Sequence, residues 1–280
     1  MLELTPAGLV IRSVTPMRYC DHFGVRRFAE DEALGDRLVD SLKIDGGTLA
    51  VSWLNLGEYA TVTSRETRLQ AERLLERIVP AVFPLDVDPG AVSKRELAGR
   101  TEGGARSFVD PHADTVFAKL FVRGRPSIAA SGLDLRITAS GVFEPLNHDR
   151  LIRSKHRLAA TTRGALEKLR RQHADDPEFR RLVGATRKPD ARAATDTDAV
   201  TRALAATFFP DLRRQITLND AIDFLHAAVP VAFCDAVLLD GATHDLVERA
   251  RRQYPGIRMA ATFSGRGDGI ERFLSHLASR

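Results

Sequence analysis

Carboxylates and one histidine are concentrated between residues 219 and 240. If the first half of this segment is a helix, Asp220 and Asp223 share one face and His226 extends that face by a further turn. A short apolar run, which is typical of a buried strand, then ends in Asp240. Ligands of open α/β sheets bind at the carboxyl ends of strands, so a divalent cation would sit beside these acids. Their oxygen ligands suit Mg²⁺ or Mn²⁺.

Each of these residues also has an ordinary structural interpretation. Asp220 is well placed to cap its helix, and Asp223 with His226 would form a solvated pair on a surface helix. Asp240 precedes Gly241 and suits a turn. The sequence leaves both interpretations open.

Apolar runs alternate with helical segments along much of the chain. The predicted strands cover residues 8–11, 48–53, 81–85, 236–239 and 257–261. Alternation of this kind predicts the α/β class, with a parallel sheet of about five strands covered by helices on both faces.

The middle of the chain predicts a different organisation. Residues 110–210 are mostly helical in pattern and contain the basic cluster that includes Arg170 and Arg171. We therefore expect a helical insertion at 110–210, with residues 1–109 and 211–280 forming the two parts of the α/β domain.

The composition is that of a globular protein, with 44% hydrophobic and 28% charged residues among 280. No apolar run approaches the roughly 20 residues of a membrane helix, and the first residues do not resemble a signal peptide. Cys20 and Cys234 lie far apart in the sequence. We therefore expect a cytoplasmic protein with reduced thiols and no membrane partner.

The formal net charge is +4, and most of the basic residues are arginine, whose planar side chain suits phosphate. The glycines at 103–104 and 265–269 match neither a P-loop nor a dinucleotide fingerprint. Arg266, inside the second cluster, follows the predicted last strand and could border a cleft at the sheet edge.

Three short motifs resemble PIN-like domains, the metal-dependent nuclease fold of toxin ribonucleases and flap endonucleases, and in particular a bacterial subgroup. In that fold a Glu follows the second strand, and here Ser52 to Glu58 matches. An Asp lies on the helix before the fourth strand, where Asp220 matches. Another Asp follows that strand, where Asp240 matches.

The resemblance implies that Glu58, Asp220 and Asp240 hold Mg²⁺ or Mn²⁺, with Asp223 or Asp235 assisting. It also implies RNA as the substrate, with Arg170, Arg171 and Arg266 as candidate phosphate contacts, and a protein partner such as an antitoxin. The catalytic set would be Glu58, Asp220, Asp223 and Asp240.

The chain departs from the family pattern at the first strand, which should end in an Asp. With residues 8–11 as that strand, Ser13 stands in the acidic position, and Asp21 is the nearest replacement.

Three functions follow as hypotheses. The first is a metal-dependent endoribonuclease that cleaves RNA phosphodiesters with an activated water. The second is a degenerate PIN-like protein that binds RNA or a protein partner without catalysis, which Ser13 favours. The third, a doubly wound enzyme with a nucleotide-type ligand, is disfavoured by the missing glycine fingerprint.

Overall fold

Five parallel strands form the central sheet of the molecule. The structure, a computed structural model, describes residues 2–5, 8–11, 15–78, 81–102, 145–185, 195–209 and 215–278. The strands of the sheet are β3 (Met17–Cys20), β4 (Thr48–Val51), β5 (Val82–Pro84), β6 (Ala236–Leu239) and β7 (Ala261–Ser264), in the order β5-β4-β3-β6-β7. All neighbouring pairs are parallel. The predicted α/β class and parallel five-stranded sheet are therefore confirmed.

Helices cover both faces of this sheet. They are α1 (His22–Glu30), α2 (Glu32–Asp45), α3 (Trp53–Thr61), α4 (Arg65–Ile78), α5 (Pro89–Glu102), α6 (Pro145–Asp175), α7 (Pro177–Ala185), α8 (Asp196–Phe208), α9 (Leu218–Phe233), α10 (Gly241–Gln253) and α11 (Gly269–Ala278).

Alternating strand residues divide the core into two layers, because successive side chains of a strand point to opposite faces. Tyr19, Val237 and Leu239 belong to one hydrophobic cluster, which helices α8, α9 and α10 complete. Cys20 and Leu238 belong to the other, with α1, α2, α4 and α11. Burial on both faces explains why β3, β4 and β6 are fully buried along their lengths.

The predicted first strand is real but lies outside the central sheet. Residues Gly8–Ile11 form β2, which pairs antiparallel with β1 (Leu2–Thr5). The first strand of the parallel sheet is β3, which the sequence analysis missed, and Asp21 follows it directly. Ser13 lies outside the described residues.

The predicted last strand was also misplaced. Residues 257–260 precede the strand, and β7 begins at Ala261 and ends at Ser264. Helix α9 continues to Phe233 and accommodates Pro230 inside it.

The described part of the middle region contains α6, α7 and α8, and α6 packs against α3 and α9. No helix in the described ranges is both long enough and apolar enough to cross a membrane.

Candidate functional site

Asp21 and Asp240 contact each other at the position where the strand order of the sheet reverses. From β3 the chain builds outward to β4 and β5, then returns to add β6 on the other side of β3. Asp21 follows β3, Asp240 follows β6, and the Asp240 amide donates a hydrogen bond of 2.5 Å to Asp21 Oδ2. Such a topological switch point is where open α/β sheets bind ligands.

Both aspartates also begin helices. Asp21 Oδ1 accepts a 2.8 Å hydrogen bond from the Gly24 amide at the start of α1. Asp240 Oδ1 accepts bonds from the amides of Ala242 and Thr243 at the start of α10. Asp240 is therefore the N-cap of α10, which places the positive end of the α10 dipole at the sheet edge.

Asp223 adds a third carboxylate from helix α9. Burial and then the negative charge of Asp240 raise the pKa of Asp223 to about 7. The charges of Glu58 and Asp21 act on Asp223 in the same direction. The pKa of Asp21 is also raised, to about 6, mainly by burial. The acids of this edge therefore repel one another when they are ionised.

His226 supplies the positive charge inside this group. Its ring is 3% exposed, and Nε2 lies 2.6 Å from Glu58 Oε2. Burial alone would lower the pKa of His226, but the Glu58 charge and hydrogen bond outweigh it and raise that pKa. Burial likewise opposes ionisation of Glu58, yet the charge and hydrogen bond of His226 leave the pKa of Glu58 lowered. Each partner therefore favours the ionised form of the other.

A chain of buried hydrogen bonds holds the histidine ring in place. His226 Nδ1 lies 2.5 Å from the Tyr19 hydroxyl, which lies 3.4 Å from Ser52 Oγ. Ser52 Oγ donates to Asn55 Oδ1 at 2.8 Å, and Asn55 Nδ2 donates to the carbonyl of Cys20 at 3.1 Å. The ends of β3 and β4 are thereby joined to α9.

Lys155 brings a basic side chain from α6 close enough to Glu58 for their charges to interact. Its ammonium donates a 3.2 Å hydrogen bond to Thr61 Oγ1. Burial lowers the pKa of Lys155, and the negative charge of Glu58 partly opposes this.

Two further side chains border the site at the end of β7. The Arg266 guanidinium packs over Gly241, where a Cβ atom would lie 2.2 Å from Arg266 Nε. The Phe23 ring, 39% exposed, packs over Gly265, where a Cβ atom would lie 2.5 Å from the ring. Arg266 thus lies against the residue that follows Asp240.

Four of the predicted site residues lie elsewhere. The Asp220 carboxylate completes a capping box, accepting from the amide and hydroxyl of Thr217 at 2.8 and 2.7 Å. Asp235 precedes β6 and accepts a 2.7 Å bond from the Met17 amide, so it lies at the amino edge of the sheet. Arg170 and Arg171 lie near the far end of α6, more than 20 Å along the axis from Lys155.

The donor set suits a hard divalent cation, although no preformed cage exists in the described part of the chain. There, no group of three or more His, Cys, Asp or Glu side chains is close enough to hold an ion. Mg²⁺ needs no such cage, because it retains several waters and binds through one or two carboxylates. Asp21 and Asp240, with Asp223 beside them, therefore fit the chemistry of Mg²⁺.

Comparison with known proteins adds no relative: no family model matches the chain, and no curated protein and no solved structure matches it.

Sequence reasoning missed Tyr19, Lys155 and the hydrogen-bonded pair Ser52 and Asn55 as parts of the site. Only the pair left a signal, because a Ser three residues before an Asn is the spacing of a helix cap. Lys155 is one of many basic residues on its helix, and nothing local marks it.

Proposed function

We propose that this protein is a PIN-like endoribonuclease that hydrolyses RNA phosphodiester bonds with the aid of Mg²⁺ or Mn²⁺. The observation that carries the proposal is the meeting of Asp21 and Asp240 at the switch point of a parallel sheet. Asp223 and Glu58 lie beside them. Four acids at this edge fit a divalent cation and a phosphate better than they fit any uncharged ligand.

The order of these acids along the chain supports the family resemblance. Asp21 follows the first strand of the sheet, Glu58 follows the second, Asp223 lies on the helix before the fourth strand and Asp240 follows that strand. Asp21 then supplies the acid that the sequence analysis sought at Ser13. Asp223 takes the helical position in place of Asp220, because the charges of Asp240, Glu58 and Asp21 act on Asp223.

The chain's own residues have distinct tasks in this proposal. When bound, the cation would supply Lewis acidity for phosphodiester hydrolysis, and Asp21 and Asp240 would hold it. Asp223, with a pKa of about 7, accepts the proton of the attacking water. The water oxygen bonds to phosphorus, the bond to the leaving sugar oxygen breaks, and that oxygen takes a proton from solvent. Lys155 and Arg266 flank the acids and hold neighbouring phosphates.

A second function, RNA or protein binding without cleavage, is favoured by one specific observation. His226 already balances the charge of Glu58, so part of the acidic group is neutralised without a metal. A protein that only binds would need no further cation.

Cleavage of a mixed pool of single-stranded RNA with Mn²⁺ tests the proposal. We expect Asp240→Asn to reduce the cleavage rate about 100-fold or more, because the amide keeps the shape but removes the charge that holds the cation. Asp235→Asn is the matched control, since it makes the same change at the opposite edge of the sheet, and it should cleave like the wild type.

Equal cleavage by the wild type and Asp240→Asn would contradict the proposal, as would an equal loss in Asp235→Asn. RNA binding by the wild type without any cleavage would select the second function.

A further inference from the structure

A groove of about 860 Å³ opens beside the acidic site, at the upper end of the range for ligand sites. Its walls are the start of α3, the residues that follow β5, and the face of α6 from Arg153 to Thr161. Because Trp53 follows β4 and Asp86 follows β5, the groove lies over the carboxyl ends of these two strands. The acids lie over the next two strands of the same edge, β3 and β6.

The groove carries positive charge once its local pairs are accounted for. Asp86 forms a 2.6 Å ion pair with Arg95. Asp88 Oδ1 accepts bonds from the amides of Gly90 and Ala91 at the start of α5. Both carboxylates therefore already have partners among the residues of the groove.

Three cations of α6 face the groove as well. Arg153, Lys155 and Arg157 all line it, and Arg153 and Arg157 lie one helical turn apart. None of the three forms an ion pair with a carboxylate of the described residues within 4 Å. Their charge is available to an anion in the groove.

An aromatic ring lies among these cations. Trp53, the single tryptophan of the chain, is half-buried in the groove wall. Its Nε1 is buried and has no hydrogen-bond partner among the described residues. Buried indole N–H groups usually find an acceptor, so a ligand oxygen or base edge would complete this one.

Lys155 links the groove to the acids. It lines the groove, and its charge also acts on Glu58 at the acidic edge. A chain of phosphates lying along Arg157 and Lys155 would therefore lead toward Glu58.

We infer that this groove binds single-stranded RNA and leads it to the acidic site, with the cations of α6 on the phosphates and Trp53 against a base. The inference rests on the proposed function and names the path of its substrate. A single strand is required because only an unpaired base exposes a face that can stack on Trp53.

Fluorescence anisotropy with a labelled 12-nucleotide RNA, in EDTA so that nothing is cleaved, tests the groove. We expect Arg157→Glu to weaken binding about tenfold and to flatten the salt dependence, because a phosphate contact is lost. Arg171→Glu is the matched control, with the same change on the same helix about 21 Å away, and should alter the dissociation constant less than twofold. Trp53→Leu should weaken binding by a similar factor to Arg157→Glu.

Equal weakening by Arg157→Glu and Arg171→Glu would overturn the inference, because general charge would then explain binding. Binding of a duplex of the same length as tightly as the single strand would also overturn it. The proposed function and this inference can fail independently. If Asp240→Asn loses cleavage while Arg157→Glu binds RNA as tightly as the wild type, the nuclease proposal is supported and the groove inference is contradicted. Arg157 is exposed, so its variant folds even if Trp53→Leu does not.

Discussion

Two aspartates on helix α9 lie one turn apart and have opposite effects on the fold. Asp220 caps the helix with a hydrogen bond to Thr217, and its charge lies at the favourable end of the helix dipole. Asp223 lies among Asp240, Glu58 and Asp21, and its pKa is raised to about 7. A charge that the fold disfavours and does not need for packing is typical of a functional position.

We expect Asp223→Asn to increase the free energy of unfolding by about 1–3 kcal/mol at pH 8 without divalent metal. The carboxyl has a higher pKa in the folded state, so the folded protein loses stability from this group as the pH rises from about 4 to 7. The gain in the variant therefore shrinks below pH 7 and vanishes near pH 4. Denaturant unfolding at several pH values measures it.

Asp220→Asn is the control for that experiment and should lower the free energy of unfolding by about 0.5–1 kcal/mol, because it weakens the cap. If both variants change the free energy of unfolding in the same direction, the neighbouring carboxylates do not destabilise the ionised form of Asp223.

For individual residues, the sequence predicts which kinds of side chain form the site better than it predicts the role of each one. Glu58, Asp223 and Asp240 were identified from motifs, and all three lie at the carboxyl edge. Asp220 and Asp235 have the same chemistry and nearby positions in the sequence, but Asp220 bonds to Thr217 one turn before Asp223, and Asp235 bonds to β3 at the amino edge of the sheet. Which of several carboxylates faces the site depends on helix phase and strand polarity, which a motif does not encode.

Among the helices, the contact between α3 and α6 positions the basic residues of α6 that line the groove. Gly57 allows it, because a Cβ atom there would lie 2.9 Å from Lys155 Cβ and 3.1 Å from the Leu151 carbonyl. Neither atom is the free end of a flexible side chain. The two helices could not pack this closely around a larger residue.

We expect Gly57→Ala to lower the free energy of unfolding by about 1–3 kcal/mol, because the methyl group pushes α6 away from α3. Gly164→Ala, within α6 and with open space around it, should raise it by about 0.5–1 kcal/mol through helix propensity. Urea denaturation of both variants is the measurement. A stabilising effect of both substitutions would mean that α3 and α6 do not touch at Gly57.

Sequence patterns located the central strands that consist of an apolar run and missed the one that does not. Strands β4, β5 and β6 match continuous apolar runs, whereas β3 has four residues with Arg18 among them and shows no run. The apolar run at residues 8–11 was predicted to be the first strand of the sheet instead. This choice also produced the apparent loss of the first acid at Ser13, since the strand that ends in an aspartate is β3.

For the whole molecule, the order of strands matters more than their number. The sheet places the first and fourth of its strands side by side, so Asp21 and Asp240 meet although 219 residues separate them. Strand pairing over such distances has no local signal, and the sequence could predict a parallel sheet without predicting its order.

Metal binding should stabilise the whole fold in a pH-dependent manner. Below the pKa values of Asp21 and Asp223, about 6 and 7, a cation must displace protons, while His226 repels it. We therefore expect Mg²⁺ to raise the melting temperature more at pH 8 than at pH 5.5. At one hundred times Kd, the bound cation would stabilise the folded state by about 2.7 kcal/mol.

Thermal unfolding of the wild type and Asp240→Asn, each with Mg²⁺ or EDTA, measures this linkage. The variant should show no Mg²⁺-dependent shift. A shift of equal size at both pH values in the wild type would mean that the cation binds away from these carboxylates.

The adjacency of β3 and β6 also has a consequence for biosynthesis. While a ribosome makes the chain, β3 gains β4 as a neighbour early, but its other edge waits for residues 236–239. At about 5–20 residues per second that wait is roughly 10–40 s, during which a central strand has an open edge. Until residue 240 has been made, the nascent polypeptide also lacks Asp240, so its acidic cluster is assembled only after β6 has been translated.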